Sequence, residues 1–146
     1  MKFLIASAAL IFSVTTFACT DFSGEYFDEM DGTYFSMAQD GCTSITYQYD
    51  EGPVERLMDG KDYLVNDYDI VVEEGKVLAN VKIYSTNEFK GDKLITRDRS
   101  ETTYTSGVVE IEKVWSETTL NRKADMVVVS HPSRGPKETT INKRVK

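Results

Sequence analysis

The stretch VLANVKI, residues 77–83, carries the pattern that decides the fold. Every second residue is apolar, whereas Asn80 and Lys82 fall between the apolar positions. Glycine turns flank the stretch at residues 74–75 and 90–92. Because successive side chains of an extended strand point to opposite faces, this alternation predicts a β-strand with one buried face.

The same pattern recurs along the chain between further glycine turns. Two more rows alternate in this way, Ile45, Tyr47 and Tyr49 in one and Val109, Ile111 and Trp115 in the other. Acid-glycine pairs such as Asp59-Gly60 supply the positive φ that tight hairpins need. We predict an all-β, antiparallel up-and-down meander of about eight to ten strands. Closure into a small β-barrel removes the exposed edges; a two-sheet β-sandwich is the alternative.

The first 18 residues have the order of a secretory signal peptide. Lys2 gives a positive start, residues 3–14 are apolar or small, and Thr16 and Ala18 form a small-x-small cleavage pattern. The apolar run is shorter than the roughly 20 residues of a spanning helix. We predict a signal peptide over 1–18 and a single β-barrel domain over 19–146. The protein would be exported to the periplasm or cell envelope of a bacterium, or secreted.

Cleavage after Ala18 would leave Cys19 at the start of the mature chain, with two possible fates. A first cysteine suggests a lipoprotein, whose Cys19 would be lipidated and held at a membrane, although Phe17 fits that pattern poorly. An even number of cysteines in an exported chain instead favours a disulfide. The sequence has two, and we predict a Cys19–Cys42 disulfide. Membrane attachment is expected only if Cys19 is lipidated.

Charge is distributed unevenly along the chain. Removing the signal peptide would take away Lys2 and change the net charge from −7 to −8. Residues 21–75 carry a net charge of −13, and residues 76–146 carry +5. Nucleic-acid binding is not expected, since phosphate contacts need clustered Lys and Arg. In a closed barrel the acidic first strands would meet the basic last strands, and an acidic face could dock a basic protein partner.

A family resemblance begins at residues 21–26, DFSGEY. This segment resembles the opening strand of lipocalin-like and fatty-acid-binding barrels, in which Gly-x-Trp closes one end. Tyr26 stands here where the family has tryptophan. Arg144 is the counterpart of a late-strand arginine that packs on that ring in the family. The resemblance implies a barrel that holds a small ligand.

The sequence contains no catalytic or metal-binding motif. His131 is the only histidine, and the chain has no Cys-x-x-Cys. Glycoside hydrolysis would need two convergent carboxylates, which the sequence does not single out among 24 acidic residues. We predict a non-enzymatic protein without metal or cofactor. A hydrolase with paired carboxylates is the less favoured alternative.

The aromatic residues suggest where a ligand would bind. We predict that Tyr47, Tyr49 and Trp115 line a cavity for a small apolar ligand, because apolar walls bury a ligand and hydroxyls orient it. The resulting hypothesis is an exported small-ligand-binding barrel of the bacterial cell envelope. An envelope interaction module or inhibitor that uses an acidic face is the alternative. A hollow interior would favour the first hypothesis and a filled interior the second.

Overall fold

A computed structural model describes residues 19–72 and 75–145. The predicted signal peptide over 1–18 lies outside the described residues. The elements are ten strands: β1 (Gly24–Asp28), β2 (Thr33–Asp40), β3 (Ser44–Tyr49), β4 (Gly52–Leu57), β5 (Asp59–Val71), β6 (Val77–Lys90), β7 (Lys93–Tyr104), β8 (Val109–Leu120), β9 (Met126–Pro132) and β10 (Glu138–Arg144). The predicted all-β antiparallel meander is therefore confirmed.

The strands form one sheet that curves into a nearly closed barrel. Its order is β4-β3-β2-β1-β10-β9-β8-β7-β6-β5, and all neighbouring strands are antiparallel. The first and last strands pair, with Tyr26 opposite Arg144. The two edges of the sheet are therefore β4 and β5. These strands follow one another in the chain but share no ladder of hydrogen bonds among the described residues. A single sheet replaces the two sheets of the sandwich alternative.

The two halves of the barrel differ in strand length. Strands β1 to β4 have five to eight residues, whereas β5 to β8 have 12 to 14. Strand β5 is continuous over its 13 residues, with a register shift between Leu64 and Asn66. The long strands β5 to β8 therefore reach past the ends of the shorter strands. Their protruding parts pair with one another and extend one wall of the barrel.

The hydrophobic core fills one end of the barrel, which we call the closed end. Its buried side chains are Phe22, Tyr26, Met37, Ile45, Met58, Leu94 and Met126. Phe22 and Ile45 are fully buried, and the Phe22 ring lies 6.3 Å from that of Phe89. The opposite end, where β1 finishes at Asp28 and β3 at Tyr49, is the open end.

The first strand is fixed to the closed end by polar contacts as well. The Tyr26 hydroxyl donates to the Phe22 carbonyl at 2.9 Å. Arg144 lies with its guanidinium carbon 5.9 Å from the Tyr26 ring centre and donates from Nη2 to the Ser23 carbonyl at 2.6 Å. A Cβ at Gly24 would come within 2.9 Å of that nitrogen, so a side chain at this position would require Arg144 to move.

A disulfide ties the chain entering β1 to the turn between β2 and β3. Cys19 and Cys42 are bonded, with their Cα atoms 5.7 Å apart, as predicted. The bond uses the Cys19 sulfur, which a lipid thioether would also require, and therefore argues against the lipoprotein alternative. A structural disulfide is consistent with an oxidising, exported environment.

Candidate functional site

The interior of the barrel becomes polar and hollow above the closed end. Two adjoining cavities, of about 310 and about 250 Å³, share Tyr47, Tyr49 and Thr96. The larger, which we call the inner cavity, is lined in addition by Asp28, Asp31, Thr33, Phe35, Ser116, Thr118, Met126, Val128 and Asn142. The smaller, the side cavity, is lined in addition by Val54, Arg56, Ser85, Asn87 and Asp98. Hydroxyl, amide and carboxylate groups thus predominate over apolar ones.

Tyr47 and Tyr49 form the aromatic wall common to both cavities. Alternation along β3 puts them on the same face, and their rings are parallel within 3° with centres 6.1 Å apart. Neither hydroxyl has a hydrogen-bond partner among the described protein groups. Burial raises the pKa of both, for Tyr47 well above its usual range. Both phenols therefore stay protonated near neutral pH, and each has an O–H to donate.

Asn142 carries a further unpaired polar group of the inner cavity. The side chain is only 5% exposed, and its Oδ1 is buried without a hydrogen-bond partner among the described residues. It lies on β10 between Asp28 of β1 and Met126 of β9. An unpaired buried acceptor costs about 1–3 kcal/mol. Such a group in a cavity wall can accept a hydrogen bond from a ligand or from a water molecule.

Opposite charges border the side cavity without pairing. Arg56 comes from β4 at one end of the sheet, and Asp98 comes from β7. No ion pair or side-chain hydrogen bond joins either of them to another described residue. In the same cavity, Thr96 donates from its hydroxyl to Asn87 Oδ1 at 3.0 Å. Thr96 and Asn87 thus form a hydrogen bond with each other, whereas Arg56 and Asp98 have no side-chain partner among the described residues.

Trp115 lies outside the barrel, away from Tyr47 and Tyr49. It is 40% exposed and stacks on His131, with ring centres 3.8 Å apart and planes within 4°. The other members of its row, Val109 and Ile111, are also exposed. The predicted row exists as one face of β8, but that face points outward. The structure therefore brings together two of the three predicted ligand-binding residues.

A groove of about 600 Å³ runs past Trp115 on the outer wall. Its larger volume does not make it the better site, because most of its charges are already neutralised. Arg97 pairs with Glu88 at 2.6 Å, and Arg99 pairs with Asp62 at 2.9 Å. The interior, with its unpaired groups, is therefore the candidate site.

The predicted meeting of acidic and basic strands is present at the β1–β10 seam. Lys143 of β10 forms an ion pair with Glu29, just beyond β1. This contact neutralises charge across the seam. It does not account for the acidic residues of β5, which lie on the other side of the barrel.

The described part of the chain gives no sign of metal chemistry or of a spanning helix. It contains no cluster of three or more His, Cys, Asp or Glu side chains that could hold a metal ion. It also contains no helix long and apolar enough to cross a membrane. Comparisons of the chain with protein-family models, curated proteins and solved structures gave no match.

Sequence reasoning missed Asn142, Arg56 and Asp98 as site residues. The residues on either side of Arg56 in β4, and of Asp98 in β7, point outward. Alternation along a strand therefore places both side chains on inner faces once the inner side of each strand is known. Asn142 sits in a polar segment, INKR, that resembles an ordinary exposed strand. Its burial follows from the pairing of β10 with β1, which no local pattern indicates.

Proposed function

We propose that this protein is an exported, non-enzymatic barrel that binds a small ligand in its interior. The proposal depends chiefly on Asn142, whose buried Oδ1 has no partner in the described structure and borders the inner cavity. The two phenols of Tyr47 and Tyr49 supply donors next to it. The cavity volume of about 310 Å³ is at the lower end of the range typical of ligand sites.

The lining also sets the expected character of the ligand. A purely apolar ligand would leave Asn142 Oδ1 buried without a partner, at a cost of about 1–3 kcal/mol, and would shield the Tyr47 hydroxyl from water without bonding to it. A polar ligand with a flat or apolar part would satisfy the hydrogen bonds and pack against the aromatic wall. We therefore propose a small polar ligand in place of the apolar ligand expected from the sequence.

Native mass spectrometry of the exported protein tests this function. The full chain would be expressed with residues 1–18, purified without denaturation, and measured in native and denaturing conditions. We expect a discrete extra mass in the native spectrum only. Asn142→Leu should lower its occupancy, whereas Trp115→Phe, a control on the outer wall, should not. A bare wild-type protein whose melting temperature is also unchanged by a metabolite extract would contradict the proposal.

A second candidate function is favoured by the free edge of β5. This strand pairs only with β6 among the described residues, is exposed along most of its length, and carries Asp67 and Asp69, which form no ion pair with a described residue. A free edge can accept a strand from another protein. The acidic side chains would select a basic strand.

Peptide binding separates this candidate from the first. An alternating Lys-Val peptide should bind more weakly as salt is raised, and an alternating Glu-Val peptide should not bind. Asp67→Lys should weaken binding, whereas Asp92→Lys in the exposed β6–β7 turn should have little effect. Equal binding of both peptides would contradict the candidate.

A further inference from the structure

The side cavity holds one positive and one negative side chain that do not neutralise each other. Arg56 and Asp98 both line this space of about 250 Å³, and no ion pair joins them. On the outer wall beside Asp98, charges are paired at short range, as in Arg97 with Glu88 and Arg99 with Asp62. The barrel wall can thus pair charges, yet it leaves these two facing the cavity.

Both charges act on the same part of the aromatic wall. Arg56 lowers and Asp98 raises the pKa of Tyr47, while burial remains the larger cause of its upward shift. The two charges therefore lie close enough to Tyr47 for their fields to reach its hydroxyl. A ligand in contact with Tyr47 would lie within the field of both.

Arg56 and Asp98 are both partly buried, beside a wall of the side cavity that is largely closed to solvent. Ser85 and Asn87, on the β6 wall of the side cavity, are 3% and 4% exposed. A charge beside such a wall loses part of its hydration, and pairing it with an opposite charge restores part of that loss. A ligand with a single charge would pair one residue and leave the other unpaired. A ligand with both charges pairs both and adds no net charge.

We propose that the ligand is a small zwitterion of the amino-acid type. Its carboxylate would pair with Arg56 and its ammonium with Asp98. Its apolar or aromatic part would lie against the rings of Tyr47 and Tyr49. This inference rests on the proposed ligand-binding function and adds the chemical class of the ligand.

Titration calorimetry with one amino acid and two capped derivatives tests the charge requirement. The probes are L-phenylalanine, N-acetyl-L-phenylalanine, which lacks the ammonium, and L-phenylalaninamide, which lacks the carboxylate. At about pH 6 the free amino groups are protonated. We expect the disulfide-bonded protein to bind L-phenylalanine at least about tenfold more tightly than either derivative, because a charge-assisted hydrogen bond is worth about 1.5–3 kcal/mol.

Two variants should each leave the affinity for a different capped derivative unchanged. A general loss of structure would instead lower the affinity for all three probes. Arg56→Gln should weaken L-phenylalanine about tenfold and leave the amide unchanged, since the amide has no carboxylate to lose. Asp98→Asn should weaken L-phenylalanine and leave the N-acetyl derivative unchanged. Lys113→Gln, on the outer wall, is the matched control and should change none of the three. Equal binding of all three probes, or a variant that weakens all three alike while remaining folded, would overturn the inference.

The outcome also separates this inference from the proposed function. If L-phenylalanine does not bind at millimolar concentration while native mass spectrometry shows a bound neutral or singly charged molecule, the zwitterion is wrong and the ligand-binding function stands. If neither experiment shows a bound molecule, both proposals fail.

Discussion

The two ends of this barrel are built from the same strands but differ in what fills them. At the closed end, Phe22, Tyr26 and Ile45 are fully buried, and the Tyr26 hydroxyl donates to the Phe22 carbonyl. At the open end, the same sheet encloses unpaired polar groups, with Asn142 as the most deeply buried. Stability is thus concentrated at one end, and the other end retains the unpaired groups that a ligand requires.

Truncating one aromatic residue at each end tests this division most directly. Phe22→Ala should lower the free energy of unfolding by about 3–5 kcal/mol, because it leaves a cavity in a packed core. Tyr49→Ala should lower it by about 1 kcal/mol or less, since that ring is 44% exposed. Urea unfolding followed by circular dichroism measures both. Equal losses of unfolding free energy would show that the closed end is not more tightly packed than the open end.

Removing the disulfide should have the next largest effect. Cys19 and Cys42 are 23 positions apart, and closing a loop of that size stabilises the folded state by about 3 kcal/mol on the chain-entropy model. The double variant Cys19→Ser/Cys42→Ser should lose that amount in urea unfolding. Wild-type protein treated with a reducing agent should match it, and treated variant protein should not change further. A variant as stable as the oxidised protein would show that the closed end does not need this bond.

Alkaline pH should reveal how the aromatic wall at the open end affects stability. We expect this effect to be smaller than those of Phe22 and of the disulfide. Burial raises the pKa of Tyr47 above its ordinary value of 10.0, so the folded protein keeps a proton that the unfolded chain loses. Stability should therefore be fully present below about pH 10 and fall as the pH rises above it. Tyr47→Phe should flatten this fall in the melting temperature measured from pH 8 to 11. Tyr68→Phe, at an exposed position on β5, serves as the control.

Much of the architecture could be predicted because its determinants are local. Alternation in VLANVKI and the acid-glycine turns specify strands and hairpins within a few residues of themselves. Short connections make sequential strands antiparallel neighbours, which gives the meander. The Cys19–Cys42 bond was predicted from the cysteine count. The register shift within β5 could not be predicted in this way, because it depends on the pairing with β6.

The candidate site was predicted only in part. Tyr47 and Tyr49 lie in the interior, but Trp115 lies on the outer wall, although both rows alternate equally well. Alternation shows that two faces of a strand differ, and it does not say which face points inward. Here the inward face of β8 carries Ser116 and Thr118, and this polar face became the wall of a cavity.

By itself, the sequence determined the strands, their turns, their antiparallel order and the pairing of its cysteines, because each depends on neighbours in the chain or on a count. The tertiary structure alone decided that the sheet opens between β4 and β5 and that the polar side chains of Arg56, Asp98 and Asn142 share one interior. These features depend on contacts between residues far apart in the chain. Curvature of the whole sheet places those residues together, and no local pattern encodes it.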